Sequence, residues 1–468
     1  MTDFILIVSK YLIMLLFALF TYESFLGQLD TLPKKKKRIE VFQTVFVYTV
    51  HALAFLSIFI NIRRGTEAGA RTVSVLWLYL AHVIYFTAMM VVIPRFVSLS
   101  RGLQNITCML IAVGLIIQTR LSFNIGVRHF IFIVAGTIIF LAGQFSCKKI
   151  TWLHKLTWVY CGVGAALLIA VLIFAQLSYG AKISIDLGFF SFQPFELVKI
   201  LFVLFVAAAF NKENNFKTVL FTALAGGAYI IILVFCSDLG TALLLAVVYV
   251  MMLYVATKKL RYIIIGAVVF VFACILAYML FSHVRVRVDV WLNPWADIDN
   301  RGYQITQSLF ALGTGGWLGL GLYNGRPASI PKVANDFVFS AISEEMGAIF
   351  AIFLIMLCLS FVLMAFKVAI RVSKPFYKLV AFGLGASYGF QVFLTVGGAI
   401  KMIPSTGINL PFISSGGTSI IASMIVVGVI QAIYVISEDD AVQDKSITSD
   451  RVILKYQNDA IGEDDGKI

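Results

Sequence analysis

Residues 290–308, VWLNPWADIDNRGYQITQS, put two tryptophans, two aspartates, an arginine and two glutamines into an otherwise strongly apolar chain. Four more polar clusters punctuate it: FQPFELVK with Gln193, Glu196 and Lys199; CSDLGT with Asp238; ANDFVFSAISEE with Asp336, Glu344 and Glu345; and LPFISSGGTS with Ser414, Gly416, Gly417 and Ser419. Carboxylates can take up a proton, cations can neutralise a phosphate, and glycines beside a helix start leave backbone N–H groups free to cradle an anion. Brought to one place by the fold, such residues could move a proton or hold an anion.

Each cluster also has a plainer reading. Ser237 and Asp238 make an ordinary helix start, and SSGGTS serves equally well as a cap on a last helix. Asp297 and Asp299 in ADIDN fit an Asx turn as readily as a catalytic role, and residue type alone does not choose between them. Glu196 and Lys199, three apart, share a helical face. Charges inside a membrane cost about 2.5–3.5 kcal/mol each on insertion scales, so that pair is functional by default, with a structural ion pair as the alternative. Glu344 and Glu345 lie ~12 Å further along a helix than Asp336 and need partners or water.

What must position these residues is a membrane bundle. Of 468 residues, 60% are hydrophobic and 13% charged, and the mean hydropathy is +0.94, whereas soluble domains average about 45–50% apolar and 25% charged. The net charge of +13 would suggest nucleic acid in a soluble chain. Here the basic residues fall mostly in short loops, where they set topology and meet anionic lipid headgroups, and no nucleic-acid partner is implied. The cysteines show no CxxC spacing and the five histidines no ligand spacing, so neither a disulfide framework nor a zinc site is indicated. No GxxxxGK[ST] is present, so ATP is not the energy source. The first apolar run, from Phe4, is long enough to span and lacks a basic leader, which argues against a cleaved signal.

Hydropathy predicts an all-α polytopic protein with about thirteen spans. The runs KKKKR (34–38), KKI with Lys155, KKLR (258–261) and Lys367 to Lys378 alternate with poorer loops and are expected in the cytoplasm. The amino terminus is then outside. IRRGTEAGAR (62–71), with three arginines, runs against this bias. Loop 282–335 is the long connection and faces outward, as do the starts of the spans near 194, 239, 336 and 415. Within it, Tyr303 to Leu312 is expected to form a short amphipathic helix with Gln304, Gln307 and Ser308 on one side. GTGGWLGLGL is too rich in glycine for a stable span and reads as interfacial or re-entrant. Residues 438–468 are mixed in charge and read as a disordered cytoplasmic tail.

In order and spacing, FQPFE, SDLGTALLL, NPWADIDNRGYQITQSLFALGTGGWLGLGL, NDFVFSAISEEMG and IPSTGINLPFISSGGTS resemble the SEDS family of RodA, FtsW and SpoVE. The resemblance covers about residues 101–437, a ten-span core, and leaves 1–100 as a three-span extension. Phe195, Ser415 and Ile298 stand where the family usually has Ser, Tyr and Pro. The resemblance implies a peptidoglycan glycosyltransferase in the bacterial cytoplasmic membrane that polymerises lipid II at the outer face, with a class B penicillin-binding protein as transpeptidase partner. It also selects Asp297 over Asp299 as the catalytic aspartate.

The residues fit that chemistry. The polyprenyl diphosphate of lipid II is a good leaving group that needs cations more than a general acid, and the acceptor hydroxyl needs a base, for which Asp297 stands. Lys199, Arg285, Arg287 and Arg301 are the available cations. Arg285 and Arg287 would point the same way in an extended segment, or snorkel to headgroups. A Mg²⁺ or Mn²⁺ ion bridging Asp297 and the diphosphate is compatible with the sequence and not required by it. Two other classes use the same residues: a flippase or transporter for a lipid-linked precursor, whose repeated halves are not seen, and a non-catalytic scaffold for a transpeptidase.

Overall fold

The computed structural model describes residues 2–29, 33–64, 68–147, 152–175, 184–186 and 191–464. Lys148 and Lys149 of the KKI run, and 65–67 of the arginine-bearing loop, lie outside them. Helices follow the apolar runs: α1 (Thr2–Leu26), α2 (Pro33–Arg64), α3 (Ala68–Thr87) passing through a π-turn into α4 (Ile93–Phe96), α5 (Arg101–Leu121), α6 (Phe123–Cys147) and α7 (Thr157–Phe174). A two-residue hairpin, β1 (Ile185–Asp186) with β2 (Ser191–Phe192), precedes α8 (Phe195–Lys212). Then come α9 (Phe216–Phe235), α10 (Leu239–Thr257), α11 (Arg261–Leu280), α12 (Ser282–Leu292), α13 (Tyr303–Gly315), α14 (Val338–Arg371), α15 (Pro375–Ala399) and α16 (Gly417–Asp464).

Among the described residues, 12 helices are long and apolar enough to cross a membrane. The expected span near 194–210 is present as α8, set apart from those twelve by its three charged residues, Glu196, Lys199 and Lys212. The protein is an all-α multi-pass membrane protein. α5 is its axis: the apolar window of α5 is 94% buried, whereas that of α11 is 0% buried and faces out. The π-turn has a local cause. Pro94 has no N–H for the Met90 carbonyl, which instead accepts from the Arg101 guanidinium at 3.0 Å.

The extension is attached to the core by specific contacts. Phe17 of α1 stacks on Phe350 of α14 with ring centroids 4.2 Å apart, and Gln28 donates to the Ser360 hydroxyl at 2.6 Å. Lys10 reaches the Gly319 carbonyl at 3.1 Å.

Loop 282–335 is largely built of structure. α13 forms where the amphipathic helix is expected and runs three residues further, to Gly315. Beyond it, α14 is broken at Gly347 (φ +89°), and the glycine-rich strand of chain enters the break. Leu320 N–H donates to Glu344 O at 2.9 Å, Gly321 N–H to Glu345 O at 2.7 Å, and Ala348 N–H to Gly316 O at 2.9 Å. The inserted chain thus satisfies backbone groups that the break sets free.

One expectation needs correcting. Arg285 and Arg287 lie on α12, not on an extended segment, so two residues of helix turn them to different sides. Arg285 is exposed while Arg287 is half-buried.

Candidate functional site

The four polar clusters and loop 282–335 meet at one end of the bundle, because α8, α10, α14 and α16 all start there. In α8, Pro194 opens the helix and Glu196 occupies the first turn, where the helix dipole favours an anion. Both Glu196 and Lys199 are buried, at 9% and 8% exposure. Lys199 Nζ lies 2.6 Å from Glu196 Oε2 and donates to Gln391 Oε1 at 2.8 Å. Gln391 of α15 in turn donates to the Asn409 carbonyl at 2.9 Å. The ammonium is thus held by one carboxylate and one amide oxygen, two partners for its three N–H groups. The adjoining cavity, lined by Ser387, Tyr388 and Pro411, holds about 20 Å³, room for about one water molecule.

Asp238 caps α10, its Oδ1 accepting from Thr241 N–H at 3.0 Å. Burial raises its carboxyl pKa, and its bonds to Thr241 and the charges of Arg287 and Lys199 pull it back. Burial likewise raises Asp336, opposed by Lys332 and Arg287. Arg287 therefore sits within electrostatic reach of both carboxylates, and its guanidinium donates to the Ser405 carbonyl at 3.2 Å. The chain from 405 to 409 runs through the middle of this group. A Cβ on Gly240 would come within 2.9 Å of the Thr406 carbonyl, so only glycine lets α10 approach it. Lys199, Asp238, Arg287 and Asp336 form one cluster of alternating charge, which Lys332 also reaches through Asp336.

Asp297 ends a short 3₁₀ turn, Pro294–Asp297, and is half-buried. Its Oδ1 accepts from Asn300 Nδ2 at 2.9 Å, and its Oδ2 from Arg301 N–H at 3.4 Å. Gly302 closes the turn: its N–H donates to Asp297 O at 2.8 Å, and a side chain there would collide with the Pro294 carbonyl. Those carboxylate bonds stay within the Asx-like turn, so Asp297 is held in place with an open edge. Asp299 and Arg301 are exposed. Gln304 anchors the following helix by donating to Pro331 O at 3.1 Å, Gln307 is half-buried, and Ser308 is fully buried against Ser340 and Ala399 O.

The remaining candidates serve as fasteners in this conformation. Ser414 donates to Asn335 O at 2.6 Å and accepts from Leu410 N–H at 2.8 Å, while Ser415 N–H reaches Ala334 O. Thr418 accepts from Gln193 N–H at 3.1 Å. Ser419 is buried, Gly416 lies against Asn409, and Gly417 lies against the Phe132 ring. SSGGTS thus ties the start of α16 to the loop and to the approach to α8. Glu345 is turned away from the charge cluster, with Oε1 paired to Arg120 at 2.6 Å and accepting from Tyr323 N–H at 3.1 Å. Glu344 accepts from Arg326 N–H at 2.9 Å. Arg120, absent from the cations singled out by sequence, also lies 4.2 Å over the Tyr323 ring. Its one signal was an arginine at the end of an apolar span, which reads equally as snorkelling. Among the described residues, no three or more His, Cys, Asp or Glu side chains gather as a metal-ligand set.

The fold is that of a polytopic helical membrane protein with a charge cluster at one end of the bundle and a structured loop over it. Residues 105–438 match the FtsW/RodA/SpoVE cell cycle protein family, and the chain belongs to that family. The peptidoglycan glycosyltransferase RodA of Mycobacterium tuberculosis (strain H37Rv) is 37% identical over 293 residues, which is 58% of this chain and 62% of that protein. A protein of Geobacter sp. (strain M18) named "Probable peptidoglycan glycosyltransferase FtsW" is 35% identical over 259 residues, 54% of this chain and 70% of its own. The chain thus spans about three-fifths of the length of the mycobacterial relatives it matches. Among solved structures, the Rod shape determining protein RodA of Thermus thermophilus superposes with a TM-score of 0.56 at 23% identity, covering 73% of this chain and 98% of its own. A chain from a peptidoglycan synthase complex reaches a TM-score of 0.64 at 23% identity, with 73% and 99% covered. These two establish likeness of fold. α1 to α4 precede the family match.

Proposed function

We propose that the protein is a peptidoglycan glycosyltransferase of the bacterial cytoplasmic membrane that polymerises lipid II at the outer face. The observation that carries this is the family match over 105–438, which encloses Asp297 and every cation of the cluster, among relatives named for that activity. Asp297 takes the proton of the acceptor sugar hydroxyl. The freed oxygen attacks the anomeric carbon of the donor, the bond to the diphosphate breaks, and undecaprenyl diphosphate leaves with the electron pair. Lys199 and Arg287 offset the charge on the diphosphate, and Arg301 lies free at the loop surface to assist. Outward orientation is supported by the lysine-rich runs at the opposite end of the bundle.

Purified protein given lipid II in detergent, with glycan read on a gel, tests this directly. Only a polymerase makes glycan where there is no membrane to cross, so absence of product from active-folded protein would leave a flippase or a scaffold. We further propose a class B penicillin-binding protein as partner, supported by the fold likeness to a chain from a synthase complex whose study concerns polymerization and crosslinking. Co-purification with a single-pass transpeptidase and a rise in polymerisation are expected; activity indifferent to every such partner of the cell would count against it.

A further inference from the structure

A cavity of about 730 Å³ opens at the end of the bundle opposite the charge cluster, within the ~300–1,000 Å³ of small-molecule sites. Two parts of the chain make its walls. α1 and α2, outside the family match, close a groove between α5, α14 and α16 of the core. The wall is half apolar, with Ile39, Ile106, Met364 and Val368, and Leu29 stands 62% exposed at its lip. The charged part holds Lys36, Lys367 and Arg371 with Glu40 and Glu438. Lys367 donates to the Gln28 carbonyl and Arg371 lies 3.8 Å from Glu438, so both cations are anchored facing the space.

An apolar wall under a cationic rim at a bilayer surface is the chemistry of a phospholipid phosphate. Three cations against two carboxylates leave the lining positive. Lys34, Lys35, Lys37 and Arg38, all exposed on the same turns of α2 as Lys36, add to the positive field at its mouth. Polybasic segments beside membrane helices draw anionic lipids in this way. We propose that the cavity binds the phosphate headgroup of an anionic phospholipid from the leaflet at the KKKKR end, with its glycerol end against the apolar wall. The lipid then joins the extension to the core, and the site is an addition to the family fold.

Native mass spectrometry of the delipidated full chain, titrated with phosphatidylglycerol, phosphatidylcholine or glycerol phosphate, tests this. One phosphatidylglycerol should be retained in preference to phosphatidylcholine, and glycerol phosphate alone should bind far more weakly. Lys367→Gln with Arg371→Gln should weaken retention about tenfold or more. Gly102→Leu fills the space without changing charge: a Cβ there meets only Met364 at 3.4 Å, and this variant should lose the lipid while keeping the fold. Unchanged retention by both variants, equal retention of phosphatidylcholine, or equally tight binding of glycerol phosphate would each overturn the assignment, the last in favour of a soluble phosphate ligand.

Discussion

Arg120 and Glu345, 225 residues apart in sequence, pair at 2.6 Å between α5 and the first half of the broken α14. The Glu345 side chain is fully buried, and Arg120 also donates to Gly325 O at 3.4 Å. One guanidinium thus fixes the central helix, the broken helix and the inserted loop chain to one another.

Removing half of that pair leaves an uncompensated buried charge, which typically costs about 3–5 kcal/mol. Arg120→Met should lower the melting temperature of the detergent-solubilised protein sharply, and adding Glu345→Gln should restore part of the loss. A melting curve for Arg120→Met that overlays the wild type would mean the pair holds nothing together.

The break in α14 makes its own prediction. Gly347 sits at φ +89°, and a side chain there would run into the backbone of Leu318 and Gly319. Gly347→Ala combines backbone strain of about 1–3 kcal/mol with displacement of the inserted chain. It should destabilise more than Gly313→Ala, where a Cβ meets open space. Equal thermal stability of the two variants would argue that the chain does not insert.

How far the sequence discloses this arrangement depends on the range of the interaction. Helix positions follow from runs of apolar residues, and α8 was visible through Glu196 and Lys199 because an i, i+3 pair is local. α13 was visible through its periodicity. The Arg120–Glu345 pair was not, because nothing local ties the arginine to a carboxylate so far along the chain. The break at Gly347 was hidden inside a continuous apolar run, since a glycine's positive φ leaves no mark on hydropathy. Arg287 was named as a cation, but the helix that aims it at Ser405 was misread as extended because VRVRV alternates like a strand.

Orientation can be read by labelling. Positions 36 and 300 are exposed at opposite ends of the bundle, and the lysine-rich runs predict that the first is cytoplasmic. Single cysteines placed there, in a background lacking the native six, should react oppositely with an impermeant maleimide on intact cells. Equal labelling from outside would reverse or break the topology.

For Lys199, the tight contacts to Glu196 and Gln391 raise two roles, diphosphate binding and support of the cleft. Lys199→Ala should cut turnover strongly while the protein still reaches the membrane. Lys199→Met with Glu196→Gln separates the roles, since it removes the buried carboxylate left unpaired. A folded, inactive double variant indicates that the charge itself is used. Near-wild-type turnover of either variant would demote Lys199 to a structural residue.

The strongest test falls on Asp297. Asn300 and Arg301 N–H hold its carboxylate within the turn, and asparagine at that position keeps the shape and one acceptor oxygen while losing the capacity to take a proton. Asp297→Asn should therefore slow polymerisation by about 10²-fold or more, the usual scale of general-base catalysis. Lipid II binding, measured separately, should survive, because Lys199 and Arg287, the cations proposed to hold the diphosphate, lie on other elements. Asp299→Asn, exposed and two residues on, controls for disturbance of the loop and should do much less. A near-wild-type rate for Asp297→Asn, or failure of Asp299→Asn alone, would move the base elsewhere. If both variants polymerise normally, the polar loop is a docking surface and the proton acceptor must be sought among Asp238 and Asp336, whose burial holds them nearer to protonation.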